Sequence, residues 1–337
     1  MLLMVSVQNL EEALEALRGG ADIVDVKNLQ EALVGSAHPL TVKKVREAIP
    51  LERHASVTLG VVPDQIGTVA MACYAAGAVN ATSVKVGFMR TEYNEAVETL
   101  LACKEALGGF DTKLVGSLFA DNESVYNGLP AENMLKLAAD TECDGFLIDT
   151  LTKDGRNLFD FLSEDLLREM VIEGKKLGMS TALSGHLKMS DLDELARINP
   201  DIVGVRGAVC SKGERDSGVY WEAVAEFRKQ VELRKSRQID VRSAEWLDES
   251  DIGTSHQSDV DLNSGWHVID GTDKTCAGIL AALSKQIDSD SKSFIEVIIP
   301  DVLNSYDVLV WAEKSNHKVL TQRKDAESGV MRMLIQP

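Results

Sequence analysis

Short apolar runs alternate with amphipathic stretches along the first two thirds of the chain. Runs at 2–7, 23–27, 55–59, 83–87, 113–119, 145–149, 180–184 and 201–206 have the length and aliphatic content of buried strands. Helical spacing fills the gaps. Asn9 opens a helix through Leu17, with Glu11 and Glu12 in its first turn and Gly19-Gly20 after it. Further helices are predicted at 42–48 opened by Thr41, 69–76 ended by Gly77, 93–107, 131–139, 164–177, 190–197 opened by Ser190, and 221–234. Eight strands alternating with helices predict an α/β fold, a (β/α)8 TIM barrel, over residues 1–235. A doubly wound sheet is the competitor. It normally has fewer strands and a glycine-rich loop after the first; here that loop reads Gln8-Asn9-Leu10.

Residues 236–263 lose this periodicity. They are polar and acidic with a lone Trp246, which predicts a flexible linker. Periodicity returns at 264–337 in the order β-α-β-α-β-β, a small two-layer α/β sandwich.

Composition narrows the function. A formal charge of −18 over 337 residues argues against nucleic acid or anionic membrane as a partner. No apolar run approaches the roughly 18 residues that span a bilayer. Met1-Leu2-Leu3-Met4 lacks the basic residues of a signal peptide. Cys73, Cys103, Cys143, Cys210 and Cys276 are odd in number and far apart, so neither a disulfide framework nor a zinc site is expected. A reducing cytoplasm, a homo-oligomeric assembly, and the absence of cofactor and metal are the expectations.

The candidate chemistry lies at strand ends. In Ile23-Val24-Asp25-Val26-Lys27, Asp25 and Lys27 share a face and Val24 and Val26 take the other. An ammonium there is costly to bury unless a carboxylate accompanies it. Lys85 in Val84-Lys85-Val86-Gly87 and Asp149 before Lys153 repeat the theme. At a barrel's C-terminal mouth such lysines converge, and mutual repulsion lowers the pKa of at least one. A neutral amine forms a Schiff base with a carbonyl. The competing reading makes Lys27 and Lys85 structural partners of Asp25 and Asp149. The loops after strands seven and eight carry Gly185, Arg206, Gly207 and Lys212, the place where barrels most often bind phosphate. Cys276 opens a helix in the small sandwich, where the helix N-terminus would lower the thiol pKa and expose it.

Asp25-Val26-Lys27-Asn28, Val84-Lys85-Val86-Gly87, Asp149-Thr150-Leu151-Thr152-Lys153-Asp154-Gly155 and Gly204-Val205-Arg206-Gly207-Ala208-Val209-Cys210 together resemble the (5-formylfuran-3-yl)methyl phosphate synthases of methanofuran biosynthesis. The resemblance spans roughly residues 1–234. It implies a class I aldolase-like lyase that condenses two glyceraldehyde 3-phosphate molecules with loss of phosphate and water. It also implies Lys27 as the Schiff-base lysine, Lys85 as proton acceptor, and Asp25, Asp149 and Lys153 as groups that tune them. His186 departs from the small residue expected beside Gly185. Residues 265–337 resemble the TusA sulfurtransferases, which implies Cys276 as a sulfur carrier, although Ala277 replaces the family proline. Two alternatives stay open: another class I aldolase acting on a sugar phosphate, or a non-catalytic phosphometabolite-binding barrel with a sulfur-carrier tail.

Overall fold

Alternate residues of the N-terminal strands are aliphatic, and in the computed structural model those residues face outward onto helices while the polar set faces in. The structure describes residues 1–30, 35–210, 217–236, 241, 266–300, 303–324 and 330–337. In chain order the elements are β1 (Leu2–Val7), α1 (Leu10–Arg18), β2 (Ile23–Val26), α2 (Pro39–Ala48), β3 (His54–Val61), α3 (Ile66–Ala78), β4 (Ser83–Gly87), α4 (Tyr93–Leu107) and β5 (Lys113–Phe119). Then follow α5 (Asn122–Tyr126), α6 (Asn133–Asp140), β6 (Gly145–Asp149), α7 (Glu164–Lys176), β7 (Ser180–Leu183), α8 (Leu192–Ile198), β8 (Ile202–Val205) and α9 (Trp221–Lys235). The eight strands close in sequence order into a parallel barrel, with β1 paired to both β2 and β8. This is the TIM-barrel fold. Val5, Val24, Val57, Val84, Val86 and Phe146 bury their side chains in the core cluster that the helices cover.

Several boundaries differ from the sequence expectation, each for a local reason. Helix α2 opens at Pro39 rather than near Thr41: the His38 ring accepts a hydrogen bond from the Leu40 N–H at 3.2 Å, and proline suits the first helical position. Helix α3 runs through Gly77. That glycine is a packing device, since a Cβ there would lie 2.4 Å from the Phe110 ring. Ser190 does not open α8; it sits in a single 3-10 turn, Met189–Asp191, that leads into the helix at Leu192. Helix α5 had no counterpart in the periodicity because it is only five residues long.

The C-terminal elements are β9 (Trp266–Asp270), α10 (Cys276–Ser289), β10 (Phe294–Ile299), α11 (Leu303–Lys314), β11 (Lys318–Lys324) and β12 (Met331–Gln336). They form a separate four-stranded sheet in the order β11-β12-β10-β9. Its core gathers Ile279, Leu280, Leu283, Ile295, Val297 and Trp311, and Ile172 from α7 of the barrel joins it. Polar ties cross the same seam: Lys175 Nζ lies 3.0 Å from Asp307 Oδ2, and Asn199 Nδ2 donates to that oxygen at 2.9 Å. The expected linker lies outside the described residues apart from Ser236 and Val241.

Candidate active site

Asp25 is the centre of the barrel's polar interior. Register places it beside Ser6 of β1 and Ser56 of β3, so short hydroxyls on neighbouring strands point at one carboxylate. Ser56 Oγ donates to Asp25 Oδ1 at 2.8 Å, Thr58 Oγ1 to the same oxygen at 2.9 Å, and Ser6 Oγ to Oδ2 at 3.4 Å. Lys85 reaches across from β4 and donates to Oδ1 at 2.7 Å, to Ser56 Oγ, and to Met4 Sδ at 3.3 Å. Lys27 Nζ stands 3.8 Å from Oδ2. Asp25, Lys27 and Lys85 are all buried.

Burial alone pushes the Asp25 carboxyl up. The charges of Lys85 and then Lys27, with hydrogen bonds from Lys85 and Ser56, outweigh it and hold the carboxyl below its ordinary value. Burial is also the largest influence on Lys85, and it pulls the ammonium down. Asp25 opposes that pull, Lys27 adds to it, and the net direction is down. The two directions act oppositely on one ion pair. The carboxylate, with its three hydroxyl donors, is the fixed member; the proton on Lys85 is the one held loosely.

Two small pockets open from this cluster toward the C-terminal ends of the strands. The first is lined by Asp25, Lys27, Thr58, Lys85, Phe119 and Asp149. The second is lined by Lys27, Asp149, Lys153, His186, Arg206 and Gly207 among others. Lys27 and Asp149 belong to both, so they stand between the Lys85 side and the loops after β7 and β8. Asp149 Oδ1 accepts the Thr150 N–H at 2.7 Å and lies 3.8 Å from Lys153 Nζ. Lys153 donates to the Thr150 carbonyl at 2.5 Å. Asp121, fully buried, accepts the Leu151 and Thr152 N–H groups at 2.9 and 2.6 Å and so pins the loop that carries Lys153.

The phosphate candidates separate. Gly185 has φ +115°, and a Cβ there would lie 2.9 Å from Thr150 Cγ2, so the loop after β7 requires glycine. Gly207 begins a 3-10 turn, Gly207–Val209, at the second pocket. Arg206 is buried and its guanidinium holds Glu12 with both terminal nitrogens, at 2.5 and 3.0 Å, and donates to the Ser6 carbonyl at 2.8 Å. Its charge is thereby neutralised by α1. His186 is exposed at φ +54°, and Lys212 lies outside the described residues.

Cys276 departs from its expectation. It does open α10, but it is 3% exposed, and its thiol donates to Asp307 Oδ2 at 2.8 Å. Burial, then the Asp307 charge, push the thiol well above its ordinary pKa. The helix N-terminus lowers a thiol pKa only where solvation survives, and here it does not. A cavity of about 920 Å³ lies beside this cysteine at the N-terminal ends of the strands. None of the five strand-end acids and lysines lines it; they line the two smaller pockets at the other end.

Sequence reasoning missed Ser6, Ser56, Thr58 and Met4. Their signal was available: Val57 between Ser56 and Thr58 alternates apolar with small polar, as a strand facing a polar interior does. Among the described residues no helix is long and apolar enough to cross a membrane.

A sequence profile described as 4-HFC-P synthase matches residues 3–228. The (5-formylfuran-3-yl)methyl phosphate synthase of Methanopyrus kandleri is 41% identical over 219 residues, covering 64% of this chain and 92% of the relative. The protein of that name from Methanobrevibacter smithii is 42% identical over 233 residues, covering 68% and 98%. Among solved structures, phosphoribosyl anthranilate isomerase from Thermus thermophilus is similar with a TM-score of 0.49 at 14% identity, covering 69% of this chain and 98% of that one.

Proposed function

The chain belongs to the 4-HFC-P synthase family, and from that premise we propose that its barrel condenses two glyceraldehyde 3-phosphate molecules into the furan phosphate through a lysine Schiff base. Two three-carbon units give the six-carbon product with loss of one phosphate and two waters. The observation that carries the reading is the Asp25 carboxylate held between two buried lysines, 2.7 Å from Lys85 and 3.8 Å from Lys27.

Lys27 is assigned as the nucleophile because it alone of the two lysines lines both pockets. A carbonyl bound there has its phosphate directed to the loops of Gly185 and Gly207, and its reacting carbon toward Lys85. Attack needs an amine that has given up its proton. Asp25 bridges the two amines, and Lys85, whose proton is loosely held, takes it up. Lys85 returns that proton to the hydroxyl that leaves as water when the carbinolamine dehydrates, and the resulting iminium acidifies the adjacent C–H. The neutral Lys85 amine then removes the C–H proton, and the enamine carbon attacks the second triose phosphate. Asp149 and Lys153, 3.8 Å apart, stand where the later eliminations need a proton donor.

Borohydride reduction with glyceraldehyde 3-phosphate, followed by peptide mapping, tests this. The expected adduct is on Lys27. An adduct on Lys85 or Lys153 reverses the roles; product formation without any trapped lysine overturns the Schiff base.

For the second sheet we propose a docking role in place of sulfur transfer. The motivating observation is that Lys175 of the barrel reaches the Asp307 carboxylate that also takes the Cys276 thiol.

A further inference from the structure

A charged lysine has three N–H groups to place. In Lys85 each is taken by a different strand: Asp25 Oδ1 of β2 at 2.7 Å, Ser56 Oγ of β3, and Met4 Sδ of β1 at 3.3 Å. The first two acceptors are oxygens. The third is a thioether, a weak acceptor. Met4 reaches that position by alternation: Leu3, Val5 and Val7 turn outward into the core beneath the helices, while Met4 and Ser6 take the inner face of β1. Gly204 is its partner on β8, and a Cβ at that glycine would lie 2.7 Å from Met4 Cε. The neighbouring strand thus leaves the space that the buried thioether fills.

We propose that Met4 is a positioning residue for the reaction: its sulfur aims the third N–H of Lys85 and lets the proton leave along that bond. A neutral amine keeps two N–H groups and a lone pair. Asp25 and Ser56 retain the two N–H groups, because a carboxylate and a hydroxyl are better acceptors than sulfur. The lone pair therefore opens on the Met4 side. Met4, Lys27 and Lys85 line one pocket, and methionine, unbranched with rotatable side-chain bonds, can turn its sulfur aside there.

An oxygen in place of the sulfur would fix the proton. The charged groups that face Lys85 are Asp25 on β2, Lys27 just past it, and Asp149 at the end of β6; Thr58 of β3 and Ser117 of β5 are the uncharged polar residues of the same pocket. Burial and Lys27 draw the ammonium down against the pull of Asp25 and Asp149, and a third oxygen would join the carboxylates. The inference rests on the Schiff-base reading for what the proton does: Lys85 accepts it from Lys27, returns it, and then accepts another from C–H. How Lys85 is held stands on the geometry alone.

Met4→Gln and Met4→Leu in the full chain test this, since both side chains are close to methionine in volume. Glutamine puts an amide oxygen where the sulfur stands, and leucine removes the acceptor. Lys85 is titrated by NMR of isotope-labelled lysine Cε, assigned with Lys85→Arg, and kcat is followed over the same pH range. The Lys85 titration and the acid limb of kcat are expected to move together, up by about one pH unit in Met4→Gln and down by about half a unit in Met4→Leu. On that limb kcat of Met4→Gln is then about tenfold below the wild type. A side chain that only fills the interior would change the melting temperature without moving the profiles in opposite directions. Met4→Leu adds no polar atom, so its downward shift carries the test alone where the buried amide prevents folding. A Lys85 titration that stays in place, or that moves with the same sign in both variants, overturns the role of Met4. A titration that moves while the kcat profile does not supports the hold on Lys85 and overturns Lys85 as the base.

Discussion

Asparagine at position 25 keeps the shape of the carboxylate and removes its charge. The pair Asp25–Lys85 at 2.7 Å is worth about 6 kcal/mol of gross attraction at an effective dielectric of 20, and Lys27 at 3.8 Å about 4. Desolvation consumes much of this in the wild type, but removing one partner strands the other, at a cost of about 3–5 kcal/mol. A ceiling follows from titration. A buried lysine without its anion folds neutral, and deprotonating a lysine of ordinary pKa 10.5 costs about 5 kcal/mol at pH 7 and about 2 at pH 9. The deficit of Asp25→Asn is therefore about 3–5 kcal/mol at pH 7 and shrinks to about 2 or less at pH 9. The sign agrees with linkage: a lysine lowered by folding makes stability rise with pH up to its unfolded value. On the acid side, the depressed Asp25 carboxyl stabilises the wild type above pH 3.8 and is lost as pH falls through its folded value; the variant lacks that limb. Urea unfolding at pH 7 and 9, followed by circular dichroism, measures both. A deficit below about 1 kcal/mol, or one equal at the two pH values, refutes the buried ion-pair account.

Four further outcomes are expected. Lys85→Met slows borohydride trapping on Lys27 and lowers kcat by about 10²–10⁴, the usual range for a lost acid–base group; an unchanged kcat removes Lys85 from the chemistry. Gly185→Ala forces a side chain into a left-handed backbone at φ +115° and against Thr150, costing about 1–3 kcal/mol and raising KM for triose phosphate, both readable from melts and initial rates. Asp307→Asn costs about 3–5 kcal/mol at pH 7 and less at pH 9, where the stranded lysine folds neutral more cheaply; in the wild type burial lowers Lys175, but the charges of Asp307 and Asp201 outweigh it and hold the ammonium above its ordinary value, so its contribution fades only as pH rises past 10.5. In the wild type, iodoacetamide labels Cys276 no faster than the chain opens, and immediate native labelling at pH 7 contradicts the buried thiol.

Period-two alternation exposed the barrel because every strand must bury its outward face beneath a helix. Strands β1, β4, β5 and β6 begin and end where the pattern does. Position and pairing behaved differently at the site. The alternation placed Asp25 and Lys27 on one face, as their shared pocket shows. It could not show that Asp25 binds Lys85, two strands away, more closely than Lys27 two residues on. That preference comes from barrel closure, which turns the inward residues of β1, β3 and β4 onto one point. Arg206 illustrates the same limit. Its loop position suggested an anion site, yet Glu12, 194 residues away, takes its guanidinium. A charged side chain read in isolation advertises a ligand; only the fold reveals that the ligand is another side chain.

The two ends of the barrel set the same residue types to different ends. Lys85 and Lys175 are both buried and both lie within 3.0 Å of a buried aspartate. Lys85 is lowered and Lys175 raised. Lys85 shares its one close carboxylate with Lys27, so a second cation subtracts from what Asp25 supplies. Lys175 has Asp307 at 3.0 Å, Asp201 at 3.8 Å and the Asn199 carbonyl besides, so the attraction accumulates. Where acids outnumber the lysine, the proton is fixed and the pair ties one sheet to the other. Where lysines outnumber the acid, a proton can move between two amines, which is the condition a Schiff-base reaction requires.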